Sequence, residues 1–265
     1  MARGQDFQSI PTVDHRLRAV TASSSHVFPR HSHDEFGIGI MLCGGQISAS
    51  GRGQVISEPG DIMTVNPGEV HDGAPLGRGD RRWLMLYMEP EIISSIQQGL
   101  DIAEQVEFER PVFTNRPAAQ QFYATFQAAT DRVAPSSLLA LEESMLHLLA
   151  PLISVRVKQD TVKCDGAMAR VRQMICDNLM HNPSLTELAE VANASPFQTL
   201  RAFRAFTGLT PHAFILQERA NRARRLITSG ESLADVAAAC GYADQSHMTR
   251  EFKRRYGMTP AAFRA

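Results

Sequence analysis

The chain has 265 residues, enough for two domains with separate cores. Its composition is that of an ordinary globular protein, with no apolar run long enough to cross a bilayer. A net charge of −1 conceals a split: residues 1–165 hold 14 Lys/Arg against 20 Asp/Glu, and residues 166–265 hold 13 against 8, so the second half has the basic balance that suits nucleic acid.

From about His15 to Met88, short apolar runs alternate with turn signals. Phe36–Leu42, Val55–Ile56, Ile62–Val65 and Trp83–Met88 are separated by Gly44-Gly45, Ser50-Gly51-Arg52-Gly53, Glu58-Pro59-Gly60-Asp61 and Asn66-Pro67-Gly68. Strands of that length and spacing predict an antiparallel barrel or sandwich. Strand alternation puts His31, His33 and Glu35 on one face, and a barrel would bring His71 near them. Trp83, Met85 and Tyr87 share a face of a later strand, as an apolar wall or as core.

Two helices are expected next. Phe122, Phe126 and Ala129 predict one over Ala118–Arg132. Leu138, Leu141, Met145, Leu148, Leu149 and Leu152 predict another over residues 136–155, opening at Pro135-Ser136-Ser137. Its stripe either covers the open end of the barrel or also pairs with a second copy of the chain, and a homodimer is the expectation. Arg156–Asp165 is polar and irregular and reads as a linker. The expected domains are therefore 1–155, joined through 156–165 to 166–265. Of the four cysteines, Cys43, Cys164, Cys176 and Cys240, none forms a C-x-x-C pair, so reduced thiols are expected and not a disulfide frame or zinc site. The first residues lack the apolar stretch of a secretory signal, and a cytoplasmic location is expected.

The last eighty residues contain one motif twice. Ser184-Leu185-Thr186-Glu187-Leu188-Ala189, then Ser195, Arg201, Phe203, Gly208, Pro211 and Phe214, return as Ser232-Leu233-Ala234-Asp235-Val236-Ala237, then Asp244, Arg250, Phe252, Gly257, Pro260 and Phe263. The leading part is offset by 48 positions and the trailing part by 49, so one extra residue lies in the turn of the second copy. Ser184 with Glu187, and Ser195 with Gln198, have capping-box spacing, and Pro196 suits a first helical turn. Phe203 and Phe206 should bury inward, Gly208 should end the helix, and Pro211 should prevent its resumption. Gly241 suits the second turn, and Leu216–Ser229 reads as one continuous connecting helix. Such a rigid spacer could place two recognition helices in major grooves ~34 Å apart on one face of a duplex.

Helical geometry then selects the outward face. With Met248 and Phe252 inward, the second unit presents Gln245, Ser246, Thr249 and Arg250, and the first presents Phe197, Gln198, Leu200 and Arg201. Arginine can bond guanine at two points, glutamine adenine, and an apolar side chain can touch a thymine methyl. Phe197 and Leu200 could equally be core. Arg204, Lys253, Arg254 and Arg255, with Arg222, Arg224 and Arg225 of the connecting helix, suit phosphate contacts.

These residues carry a resemblance. Leu188-Ala189, Ser195-Pro196, Arg201-Ala202-Phe203, Gly208-Leu209-Thr210-Pro211, Arg219, Ala223, Leu226, Gly241-Tyr242-Ala243-Asp244-Gln245-Ser246, Phe252-Lys253 and Gly257-Met258-Thr259-Pro260 resemble the DNA-binding domain of the AraC/XylS family of bacterial transcription regulators. One departure stands out: Thr199 is where that family usually has leucine and where the second copy has Met248. His31-Ser32-His33-Asp34-Glu35 and Gly60–His71 are similar to the two motifs of the cupin barrel used by effector domains of the same family. Three imidazoles and a carboxylate also suit a metal-binding cupin, but there the glutamate falls later, where this chain has Gly37 or Ile38.

The resemblance implies an α+β protein: a cupin-like β-barrel with following helices, then an all-α domain of two helix-turn-helix units joined by a linker helix. The expected function is an effector-responsive regulator, an activator as most of that family are, and not an enzyme. Its expected partners are double-stranded DNA, a homodimer mate through 136–155 and RNA polymerase, with no membrane and no cofactor. A small polar effector would meet His31, His33, Glu35, Asn66, Glu69, His71, Trp83 and Tyr87. The rival is a metal-dependent cupin enzyme fused to a DNA-binding domain, with His31, His33 and His71 as ligands.

Overall fold

The computed structural model describes residues 6–77, 79–99, 102, 105–131, 137–155 and 165–264. They form two compact units, one β-rich and one helical.

The first unit runs β1 (Asp6–Ile10), β2 (Leu17–Ser24), β3 (Phe28–His31), β4 (Phe36–Cys43), β5 (Gln46–Ser50), β6 (Gly53–Ser57), β7 (Ile62–Val65), β8 (His71–Pro75), β9 (Arg81–Met88), α1 (Pro90–Gly99), β10 (Val106–Phe108), β11 (Val112–Phe113), α2 (Arg116–Thr130), α3 (Ser137–Leu149) and β12 (Ile153–Val155). One sheet has the order β1-β2-β9-β4-β7-β11 and another β3-β8-β5-β6, with β10 and β12 paired apart. The sheets face each other: Phe28 of β3 meets Trp83 of β9 edge-on at 6.4 Å. The Arg81 Nε–H of β9 donates to Gln46 Oε1 of β5 at 2.9 Å. The expected barrel is thus open, since among the described residues no ladder joins its two sheets.

Alternation along β9 decides the two sides of the larger sheet. Leu86 and Met88 pack with Ile38, Ile40, Ile62, Phe122, Leu141, Met145, Leu148 and Leu149 in the core beneath α2 and α3. Each such buried side chain stabilises by about 1.5–3 kcal/mol. Arg81, Trp83, Met85 and Tyr87 take the opposite face, towards the second sheet. There β4 comes close: a Cβ on Gly39 would lie 2.1 Å from Met85 Sδ and 2.3 Å from the Leu84 carbonyl.

Two expected helix bounds change. α2 begins at Arg116, because the Asn115 side chain accepts from the Ala118 N–H and Pro117 suits the first turn. Arg132 lies outside the described residues, as do Pro135 and Ser136. α3 ends at Leu149 instead of Val155. Pro151 disfavours helix in the residue before it, and Ile153–Val155 pairs instead with Val106–Phe108. Leu152 therefore leaves the helical stripe, and Leu138 is exposed while Leu141, Met145, Leu148 and Leu149 are buried.

The second unit is all helix: α4 (Asp165–Asp177), α5 (Leu185–Ala192), α6 (Pro196–Thr207), α7 (Pro211–Thr228), α8 (Leu233–Ala239), α9 (Gln245–Tyr256) and α10 (Pro260–Arg264). Of the expected linker, 156–164 lies outside the described residues, and Asp165 opens α4. The connecting helix α7 starts five residues earlier than expected. Pro211 begins it instead of blocking it, since a first-turn proline sacrifices no hydrogen bond and Thr210 caps the Ala213 N–H.

Candidate nucleic-acid interface and ligand site

In the first helical pair, both capping boxes form: Ser184 with Glu187 on α5, and Ser195 with Gln198 on α6. Leu188, Ala189 and Ala192 bury the inner face of α5, and Thr199 and Phe203 that of α6. Phe206, expected inward, is exposed near the end of α6. Gly208 closes the helix at φ 76°. In the second pair, Ser232 caps α8 and Asp244 caps α9 by accepting from the His247 N–H at 2.6 Å. Gly257 ends α9 at φ 75°. The repeat extends to the rings: Phe203 meets Phe214 edge-on at 5.5 Å, and Phe252 meets Phe263 edge-on at 5.4 Å.

The extra residue of the second turn can be placed. The left-handed position is Asn193 (φ 51°) in the first copy and Gly241 (φ 74°) in the second. One residue, Ala194, separates Asn193 from its cap, whereas Tyr242 and Ala243 separate Gly241 from Asp244. The insertion brings a buried tyrosine into the second core.

On α6, Phe197, Gln198, Arg201 and Arg204 are exposed and Leu200 is half-buried. Phe197, 66% exposed, is no core residue; the Arg201 guanidinium sits 5.7 Å from its ring centre. Gln198 uses its carbonyl oxygen to accept from the Ser195 N–H at 3.0 Å, leaving its NH2 to face outward. On α9, Gln245, Ser246, Arg250, Lys253 and Arg254 are exposed and Thr249 is half-buried. Two phosphate candidates turn inward instead: Arg255 is buried against Glu251, and Arg224 is buried on α7. Arg222 and Arg225 remain exposed. The helix N-termini add positive potential to these faces.

In the β-rich unit, His31, His33 and His71 converge, each offering a ring nitrogen within 4.8 Å of the others. His31 Nδ1–H donates to the Pro29 carbonyl at 2.7 Å and His71 Nδ1–H to the Glu69 carbonyl at 2.9 Å, which places the lone pair of each ring on Nε2. Burial holds the His71 imidazole below the ordinary histidine pKa. Tyr87 joins the group, its ring 5.3 Å from that of His33.

Glu35 is buried but pairs with Arg18 at 2.8 Å, and the Arg18 guanidinium lies 4.1 Å over the Tyr87 ring. Arg18 escaped sequence reasoning, although the β2–β9 register sets it directly opposite Tyr87. Asn66 and Glu69 serve another purpose. Asn66 accepts from the Phe108 N–H at 2.7 Å and donates to the Phe108 carbonyl and to Glu69, which also faces Arg52 at 3.6 Å. Trp83 stands with Phe7, Phe28 and Arg81 in an aromatic group. Arg81 is fully buried, and burial draws its pKa down to about 10.

A family described as an AraC-like ligand binding domain matches residues 17–149, and a helix-turn-helix domain family matches residues 188–265. An uncharacterised HTH-type transcriptional regulator of Bacillus subtilis, YbfI, is 27% identical over 83% of this chain and 81% of its own length. The transcriptional activator RhaS of Pectobacterium carotovorum is 24% identical over 100% of this chain and 96% of its own. An apo point variant of ToxT from Vibrio cholerae shares the fold, at TM-score 0.57 and 11% identity over 98% and 96% of the two chains. A ToxT structure with bound unsaturated fatty acid matches at TM-score 0.54 and 11% identity, covering 98% of this chain and 94% of its own. Among the described residues, no helix is long and apolar enough to cross a membrane.

Proposed function

The chain belongs to the AraC family of transcription regulators, with an N-terminal ligand-binding domain and a C-terminal helix-turn-helix domain, and on that premise we propose that it is an activator that reads two successive major grooves. The observation that carries this is the repeated outward face. Arg201 and Arg250, 49 positions apart, are both exposed on helices whose opposite sides bury Phe203 and Phe252. Arg201 and Arg250 would bond guanine edges, and Gln198, Gln245, Ser246 and Thr249 other base edges. Phe197 and Leu200 would meet thymine methyls, and Arg204, Lys253 and Arg254 phosphates. The activating direction draws support from RhaS, which is named an activator, and implies contact with RNA polymerase. The test is footprinting of the full chain on DNA selected from a random pool. Protection of two grooves about one helical turn apart is expected, and protection of one refutes the reading.

The effector would bind between the two sheets, beside His31, His33, His71, Tyr87 and the Arg18–Glu35 pair. ToxT binds a fatty acid, but this lining of imidazole, phenol and ion pair suits a small polar molecule. An effector acts only through different affinity for DNA-competent and incompetent states. A thermal-shift screen with polar metabolites should therefore find a ligand that also shifts operator affinity.

The imidazole cluster favours a second reading, a divalent metal ion held by His31, His33 and His71. Three imidazoles, those of His31 and His71 with backbone-fixed tautomers, suit a tetrahedral ion with one open position. Glu35, tied to Arg18, is not among the three. Such an ion would polarise a ligand atom at the open position, and elemental analysis of wild-type and His31→Ala/His33→Ala protein decides it. Pairing of two chains would use α3, where Leu138, Leu139 and Leu146 are exposed, with Tyr123 of α2 also exposed. Sedimentation of a Leu139→Glu/Leu146→Glu variant tests that.

A further inference from the structure

Arg219 lies in the middle of α7 and is buried. It does not face DNA. Its Nε–H donates to the Leu179 carbonyl at 2.7 Å, and Nη2 donates to Asn182 Oδ1 at 3.1 Å and to the Met180 carbonyl at 3.4 Å. Those three acceptors form the turn between α4 and α5, part of the first helical unit.

The second unit reaches the same spot. A Cβ on Gly241 would sit 3.0 Å from Arg219 Nη2, 3.0 Å from the Leu179 carbonyl and 3.0 Å from Met180 Cα. Gly241 also has φ +74°, so a side chain there would be strained and would press on all three neighbours. On the far side of α7, Asn221 accepts from the buried Tyr256 hydroxyl at 2.9 Å, tying α7 to the end of α9. One guanidinium therefore touches all three parts: the turn before α5, the connecting helix, and the turn between α8 and α9. The helix sets the distance and rotation between its own turns; these bonds fix how each unit docks on it.

We infer that Arg219 is a positioning residue that sets the angle between α6 and α9, and with it the half-site spacing the protein accepts. The inference rests on the two-groove reading. Each inserted base pair moves a half-site by about 3.4 Å and turns it by about 35°. A rigid junction cannot follow that movement, whereas a loosened one can.

The experiment is fluorescence anisotropy of the full chain on a wild-type-selected operator, with the half-site spacing altered by −1, 0, +1 and +2 base pairs. Wild type should lose about tenfold or more in affinity per step, the equivalent of one lost good base contact. Arg219→Met should bind the native spacing less tightly and show a flattened spacing profile, and Arg219→Lys should restore part of the steepness. Asn182→Ala, at an exposed position, and Gly241→Ala should flatten the profile in the same sense, and they decide the matter should Arg219→Met fail to fold. Variants that bind less tightly by one factor at every spacing, or that bind as wild type does, overturn the inference. A wild type indifferent to spacing instead overturns the two-groove reading beneath it.

Discussion

The two helix-turn-helix units share a plan but hold their outward helices by different means. α6 has a full capping box and a Pro196 start, yet its central inward position is Thr199, fully buried with a hydroxyl that has no hydrogen-bond partner among the described residues. α9 has an aspartate cap in place of a capping box, but Met248 fills the matching position and Tyr242 adds a further buried ring. Caps contribute about 1 kcal/mol each, and a buried methionine about 2–5 kcal/mol against alanine. Phe203 and Phe252 anchor the two helices alike, so the first differs by its firmer end and the second by having more of its side packed. Recurrence of a motif fixes where a helix starts and which face turns outward, while its firmness depends on the side chains between.

The largest expected effect breaks the second unit. Met248→Ala should lower stability by about 2–5 kcal/mol, read as a lower urea midpoint of the helical transition. Thr199→Ala should cost far less, and equal losses would erase the proposed difference. Next, Arg250→Ala should cost about 1–3 kcal/mol of specific binding and relax one base preference in its half-site. Arg201→Ala should relax a base in the other half-site by a smaller amount, because a less firmly packed helix aims its side chain less tightly. Competition against single-base operator variants measures both; the larger loss for Arg201 would reverse the ranking.

Thr199→Val should stabilise by about 1 kcal/mol, since it removes an unsatisfied buried hydroxyl at nearly constant volume. A lower melting temperature would show that the hydroxyl has a role. The smallest effect separates affinity from reading. Arg254→Ala should weaken binding to every sequence alike and reduce the salt slope by about 1, and an effect confined to one operator would refute its assignment to phosphate.

Much of the helical half is legible in the chain alone. Ser184, Ser195, Ser232 and Asp244 cap as their spacing implies, Gly208 and Gly257 take the left-handed conformation, and the offset of 48 then 49 resolves into the step around Tyr242–Ala243. These are local rules: a cap needs only the next three residues, and a left-handed turn only its own backbone. Pro211 is ambiguous by the same rules, because proline both ends helices and begins them, and the packing of residues 212–216 selects the second role. The end of α3 at Leu149 is hidden because Leu152 and Ile153 continue an apolar pattern that β12 puts to another use.

By itself the sequence determined the two-part plan and the duplicated helical pair, because periodicity and short spacings encode these, whereas the nearness of His71 to His31 and His33 was expected only through the barrel. Only the tertiary structure decided that Glu35 pairs with Arg18, that Asn66 and Glu69 brace the Phe108 segment, that Arg224 and Arg255 turn inward, and that Arg219 meets Gly241. Each of these joins residues distant in the chain or depends on which neighbour fills a space. Charge type says that a side chain will seek a partner, and packing alone selects the partner it finds.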